Sequence, residues 1–167
     1  MLSNFKEELQ KVKIIISEVD GVITENLSYI DSMGNTILKG FYTRDFEAIN
    51  LLKKTFKFVF VSSDNYVSKA VCEKRNIPFF WAKKKKKDTL VEIFRRYQVS
   101  PEEVLYIGCN FSDLECLNLI PLSMCPCDAT AEVKDRSSHN LNSFGGCGVI
   151  SEVYEFLKKE RIDGKNA

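Results

Sequence analysis

The chain has 167 residues, with 24 Lys+Arg against 23 Asp+Glu and a formal net charge of +1. That balance excludes a global pull toward nucleic acid or an anionic membrane, so neither is expected as a partner. With 44% hydrophobic and 28% charged residues the sequence is not that of a disordered chain. A domain of about 150 residues buries roughly 70% of its unfolded surface, so one core is expected.

Unbroken apolar runs, such as residues 14–16 and 58–61, fall far short of the ~18 residues a membrane span needs. The first eight residues lack the basic and apolar regions of a signal peptide. A cytoplasmic protein with a single domain over 1–167 and its core over about 12–159 is predicted, without linkers or repeats. Of six cysteines, none forms a CxxC pair, so free thiols, buried or half-buried, are expected. Cys125 and Cys127 are expected on one side of a strand. His139 is the only histidine; its polar setting predicts a surface loop.

Residues 12–17, rich in β-branched side chains, predict a buried strand. The turn signal Asp20-Gly21 follows. Alternating pieces at 27–30 and 36–41 flank Asp31-Ser32-Met33-Gly34-Asn35 and predict a β-hairpin. Roughly helical spacing of Phe46, Ile49, Leu51 and Leu52 predicts a helix over 44–54. A second core strand is predicted at 58–61, with Ser62-Ser63-Asp64-Asn65 capping a helix over 66–75. A short strand at 77–81 comes next. The five lysines Lys83 to Lys87 then lead into a helix bearing Leu90, Ile93, Phe94 and Tyr97. Ser100-Pro101 predicts a single capped turn. Strands are predicted at 104–107 and 122–125, around a short helix at 114–119. Gly145-Gly146-Cys147-Gly148 introduces a last helix over 149–159. This alternation is the mark of a doubly wound parallel α/β sheet.

In such a sheet, ligands bind outside the carboxyl ends of the strands. After the first strand stand Glu18 and Asp20, two carboxylates on one side of the exit. Paired acids there can serve as nucleophile and general acid, or hold magnesium. Hydroxyls follow at the second exit, Ser62 and Ser63.

Glu18-Val19-Asp20-Gly21-Val22-Ile23-Thr24, the hairpin and the stretch after it, Ser62, the lysine before the next helix, Gly108 to Asp113 and Gly145 to Gly148 together resemble the haloacid dehalogenase superfamily. Within it they are similar to the capless branch of 3-deoxy-D-manno-octulosonate 8-phosphate phosphatases, which also occurs as the C-terminal domain of CMP-sialic acid synthetases. The resemblance covers about 13–157. It implies a Rossmann-like three-layer α/β fold, a central parallel sheet and a small hairpin flap in place of a large cap.

For the site, the resemblance implies Glu18 at the nucleophile and metal position, where the family has aspartate. Asp20 falls at the general acid, which also ligates metal. Ser62 matches the phosphoryl-binding hydroxyl and Lys86 the anchoring lysine, with Lys85 and Lys87 as alternatives if the register slips. Asp113 is the surviving acid of the metal motif; Cys109 and Asn110 replace the usual acids. Arg44, Asp45, Ser63, Asp64 and Gly146 fall at substrate-facing positions. Asp64, Cys147 and Ser151 stand where the family commonly has arginines, and Asp64 would repel an anion.

Glutamate is longer than aspartate by about 1.5 Å, and a misplacement of about 1 Å costs on the order of 10²-fold in rate. Cys109 is a soft ligand where magnesium wants hard oxygen. A pseudophosphatase is therefore expected, oligomerising or ligand-sensing, in sialic-acid-type (nonulosonic) sugar metabolism. The resemblance implies a homotetramer whose hairpin covers a neighbour's pocket, a cytidylyltransferase as a further partner and a sugar-acid or phosphate ligand. The alternative is a working phosphatase of a phosphorylated sugar acid. Magnesium is the cofactor of the active alternative; the inactive one needs none.

Overall fold

The computed structural model describes residues 2–162. In chain order the elements are α1 (Leu2–Lys11), β1 (Ile14–Glu18), β2 (Tyr29–Ile30), β3 (Thr36–Leu38), α2 (Thr43–Leu52), β4 (Lys57–Ser62) and α3 (Val67–Lys74). They continue with β5 (Phe79–Trp81), α4 (Lys86–Tyr97), β6 (Val104–Ile107), α5 (Leu114–Leu117), β7 (Leu122–Cys125), α6 (Ala131–Arg136), β8 (His139–Asn140) and α7 (Val149–Leu157). Single 3-10 turns stand at Pro101–Glu103 and Phe111–Asp113, and a π turn, Lys158–Ile162, follows α7.

Six strands form a parallel sheet in the order β5-β4-β1-β6-β7-β8. Every residue of β1, β6 and β7 is buried, as is all of β4 except Lys57. Strands covered on both faces by helices have to be apolar throughout, which explains the unbroken runs in the sequence. Among the helices, α2 packs on α7, and α4 and α6 both pack on α5. This is the three-layer α/β arrangement expected. From β1 the chain builds one flank through β4 and β5, then returns to build the other through β6 to β8. The direction reverses at the carboxyl end of β1, and a crevice opens there.

β2 and β3 pair antiparallel as a separate two-stranded sheet. The Asp31 Oδ1 accepts from the Met33 and Asn35 N–H groups at 2.9 Å, and Gly34 takes φ 83°. The turn is thus held by its own side chain.

Three elements lie outside the predicted set: α1, α6 and β8. β8 changes the expectation for His139, which is on an edge strand and half-buried, its ring centre 4.7 Å from that of Phe156 and 6.2 Å from that of Phe5. Helix ends also move inward: α3 starts at Val67 and α7 stops at Leu157. All six cysteines are free thiols; five are buried or half-buried and Cys147 is exposed. Cys127 lies beyond the end of β7, separated from Cys125 by Pro126, so the two do not share a strand. Among the described residues no helix is long and apolar enough to cross a membrane.

Candidate active site

β1 ends on Glu18, which is 2% exposed. Its Oε1 accepts from the N–H groups of Val19 at 2.9 Å and Asp20 at 3.3 Å, and its Oε2 meets the Lys86 ammonium. Burial pushes the Glu18 carboxyl up from its ordinary range, with Lys86 opposing and Asp113 and Asp20 adding to the rise. Of the lysine run, only Lys86 is buried; Lys83, Lys84, Lys85 and Lys87 are exposed. It opens α4, so the first helical turn aims it at the end of β1. Lys86, rather than Lys85 or Lys87, is thus the lysine of the run that reaches the strand exit.

Asp113 is the second acid on Lys86, at 2.6 Å from its Nζ. The same Oδ1 accepts from the Tyr106 hydroxyl at 2.6 Å, and Oδ2 accepts from the Cys109 and Asn110 N–H groups, both at 2.9 Å. A carboxylate has about four acceptor positions; four donors occupy them here. The carbonyl of Asp20 accepts from the Cys109 thiol at 3.1 Å and from the Asn110 amide at 3.3 Å. Burial pushes the Cys109 thiol well above its ordinary range, with Asp113 and Glu18 adding to the shift. It is a donor there, not a thiolate.

These observations test the fit of a divalent cation. Of the three donors the chain would offer, Asp113 and the Asp20 carbonyl are engaged by N–H, O–H, S–H or ammonium groups, and Glu18 by two N–H groups and the Lys86 ammonium. Among the described residues no cluster of three or more His, Cys, Asp or Glu could hold a metal. A hard six-coordinate ion such as magnesium does not fit this donor set.

The site has a second cation. The Lys39 Nζ, just past β3, lies 2.7 Å from Asp20 Oδ1, 2.8 Å from Asp64 Oδ2 and 3.3 Å from Ser68 Oγ. Burial works against the Lys39 charge, but the two carboxylates outweigh it and raise its pKa. Burial also opposes the Asp64 charge, yet Lys39 and the Ser68 and Tyr66 N–H groups hold that carboxyl down to about 2. Asp64 thus stands in the crevice wall paired with Lys39. Ser62 Oγ lies 3.3 Å from Asp20 Oδ2 and accepts from the Asp64 N–H at 3.1 Å. Ser63 is exposed, its carbonyl accepting from the Trp81 indole at 3.1 Å.

A cavity of about 890 Å³ lies between this cluster and the hairpin, with Asp20, Lys39, Ser63, Asp64 and Trp81 in its wall. Glu18 is not in that wall; it sits beneath it. Thus Glu18, Asp20, Ser62, Lys86 and Asp113 come together, as the sequence predicts. Arg44 and Asp45 do not join them. Asp45 is fully buried and accepts from the Ser151 N–H and hydroxyl, both at 2.8 Å, binding α2 to the first turn of α7. Arg44 lines a separate cavity of about 410 Å³ with Cys147, Ser151 and Glu152. Gly146 closes on the loop after β1: its N–H donates to the Val22 carbonyl at 2.9 Å, and a Cβ there would lie 2.6 Å from the Glu25 nitrogen.

Sequence reasoning missed Lys39 and Tyr106. A tyrosine inside the run Val104-Leu105-Tyr106-Ile107 was a usable signal, since a buried phenol needs a partner. Nothing local marks Lys39, whose partners are 19 and 25 residues away.

No family model matches the chain. It is 28% identical over 155 residues to the 3-deoxy-D-manno-octulosonate 8-phosphate phosphatase of Haemophilus influenzae, covering 91% of this chain and 86% of that protein. It is 24% identical to N-acylneuraminate cytidylyltransferase A of Danio rerio, over 91% of this chain but only 36% of that protein. The solved cobalt-bound form of the Haemophilus phosphatase matches with a TM-score of 0.85 at 26% identity, over 92% of this chain and 91% of that one. A Legionella pneumophila structure assigned to the haloacid dehalogenase superfamily shares the fold, with a TM-score of 0.88 at 22% identity over 98% of this chain and 91% of that one.

Proposed function

We propose that this chain, a homologue of sugar-acid phosphatases with the haloacid dehalogenase fold, has kept their architecture and given up their metal-dependent chemistry. The observation that carries this reading is the Glu18–Lys86–Asp113 cluster. Two acids of the inherited site are neutralised by an internal ammonium, and Cys109 and Asn110 contribute donors where acids are expected. A phosphomonoester entering the crevice meets Asp20 and Asp64 in its wall, with Glu18 and Asp113 buried beneath, and only the two ammonium groups of Lys39 and Lys86 stand against these four carboxylates. Without a divalent cation, that excess opposes both substrate binding and the charge that develops in phosphoryl transfer.

The role that remains is an oligomerising or ligand-sensing one in nonulosonic sugar metabolism. The names of the relatives support the metabolic setting, one a phosphatase of an eight-carbon sugar acid and the other a cytidylyltransferase of a nine-carbon one. The hairpin supports self-association: Leu27, Tyr29, Ile30, Met33, Ile37 and Leu38 are each more than half exposed. A two-stranded hairpin carrying that much apolar surface calls for a cover. A homotetramer, with a cytidylyltransferase as a further partner, is the assembly proposed. A cytoplasmic setting goes with it.

The second reading is an active phosphatase. It is favoured by the convergence of Glu18, Asp20, Ser62 and Lys86 at one strand exit, with Asp20 open to the cavity. The deciding experiment is a phosphatase assay with and without magnesium on 3-deoxy-D-manno-octulosonate 8-phosphate and phosphorylated nine-carbon sugar acids. The parent is compared with Glu18→Ala and with the restored Glu18→Asp/Cys109→Asp/Asn110→Asp variant. A silent parent beside an active restored variant is the expected result. Magnesium-dependent turnover by the parent, lost in Glu18→Ala, would overturn the pseudoenzyme reading.

A further inference from the structure

A cavity of about 540 Å³ opens at the amino ends of β1 and β4, at the opposite end of the sheet from the crevice. Five cationic side chains line it, Lys13, Lys53, Lys54, Lys57 and Arg161, and among the described residues no carboxylate does. The lysines alone would not make a site. Lys53 and Lys54 follow the C-terminus of α2, where positive charge complements the helix dipole.

Arg161 is different. It is 9% exposed, its Nη1 donates to the Val12 carbonyl at 2.6 Å, and its Cζ lies 4.6 Å from the centre of the Phe56 ring. Its Nε has no acceptor, and among the described residues no carboxylate pairs with it. An arginine is not deprotonated in a protein. A buried guanidinium without a counter-charge therefore carries a desolvation cost that its one carbonyl and one ring offset only in part. Among the described residues, of the five cations only Lys13 has a carboxylate, that of Glu103. The C-termini of α2 and α4 contribute about half a negative charge each, too little to cancel the rest.

We propose that this cavity binds a small, multiply charged anion of the diphosphate or phosphorylated-metabolite class, anchored on Arg161 and flanked by Lys54 and Lys57. Its volume is in the range of small-molecule sites. Phe56 and Tyr97 supply apolar wall for the uncharged part of such a ligand. The site is joined to the crevice by β1, whose five residues run from Ile14 at this cavity to Glu18, a distance of about 13 Å. It stands independently of the reading given to the crevice.

The test is isothermal titration of inorganic pyrophosphate into the full chain, metal-free and at constant ionic strength. Saturable binding to the parent is expected. It should weaken about tenfold or more in Lys54→Gln/Lys57→Gln, which removes two charge-assisted contacts from exposed positions. The thermal midpoint of that variant in buffer alone should match the parent's. Arg161→Gln should lose binding as well; the lysine pair decides the matter if that variant folds poorly. Ser63→Glu, which adds a negative charge to the crevice, should leave the affinity unchanged. Absence of pyrophosphate binding overturns the proposal. So does binding that Ser63→Glu weakens and the lysine pair does not, since the anion would then sit in the crevice.

Discussion

Lys39 and Asp64 form a nearly buried ion pair at 2.8 Å, the side chains 2% and 13% exposed. The same ammonium holds Asp20 at 2.7 Å. The negative side chain of Asp64 is therefore not an isolated intrusion into an anion site. It turns the hairpin's one inward-facing cation away from the crevice and onto the protein itself.

Removing that cation leaves Asp20 and Asp64 facing each other without a counter-charge, held only by N–H and hydroxyl donors. Breaking a buried pair from one side is costly, and water at the crevice mouth relieves part of the loss. Lys39→Met should lower unfolding stability by about 2–4 kcal/mol, measured by urea denaturation near neutral pH. Adding Asp64→Asn should recover part of the loss. If the double variant is as unstable as the sum of the two single ones, Lys39 and Asp64 are not coupled.

The Asp64 carboxyl, held down to about 2 against an ordinary 3.8, makes stability depend on acid in a defined direction. A depressed carboxyl binds its proton more weakly in the folded state. Its contribution is thus complete above about pH 4 and lost as the pH falls toward 2. Thermal midpoints of the parent and Asp64→Asn should differ most above pH 4 and converge on acidification. Parallel profiles down to pH 2 would show that the ion pair does not hold the proton off.

Magnesium or cobalt at millimolar concentration should leave the thermal midpoint of the parent unchanged, because Asp113 and the Asp20 carbonyl are already satisfied. Cys109→Asp/Asn110→Asp removes two donors to Asp20 and adds two carboxylates. That variant should be stabilised by metal, by about 2.7 kcal/mol at a hundred times its dissociation constant. A parent stabilised to the same degree would show that Lys86 yields its place to the ion.

Charge placed on the hairpin should break self-association. Ile30 and Ile37 are 63% and 58% exposed and outside the main sheet, so Ile30→Asp/Ile37→Asp should leave far-ultraviolet circular dichroism unchanged. Light scattering after size exclusion should show the parent as a tetramer and the variant as a smaller species. A monomeric parent would remove the assembly from the proposed function.

The central strands were readable in the sequence because a parallel strand covered on both sides is built round a short apolar run, as 14–16, 58–61 and 104–107 are. Helix α1 was within reach, since Phe5, Leu9 and Val12 fall at helical spacing. β8 was not: two residues on an edge, half-buried and exposed, have no periodicity to read. Carboxylates and hydroxyls at strand exits were also legible, because the exit of a buried strand is a place the fold itself marks. Asp45 was placed at a substrate-facing position by resemblance alone, while its observed partner, Ser151, lies 106 residues away along the chain.

What the sequence determined by itself was therefore the layer order, the end of the sheet where the crevice opens, and the residues at its mouth. All of these follow from local pattern and chain direction. Only the tertiary structure decided the charge state of that crevice. Lys86 reaches Asp113 across 27 residues and Lys39 reaches Asp64 across 25, with Arg161 left beside Val12 at the opposite end. Electrostatic pairing depends on distance and burial in space, and no spacing along the chain encodes either one.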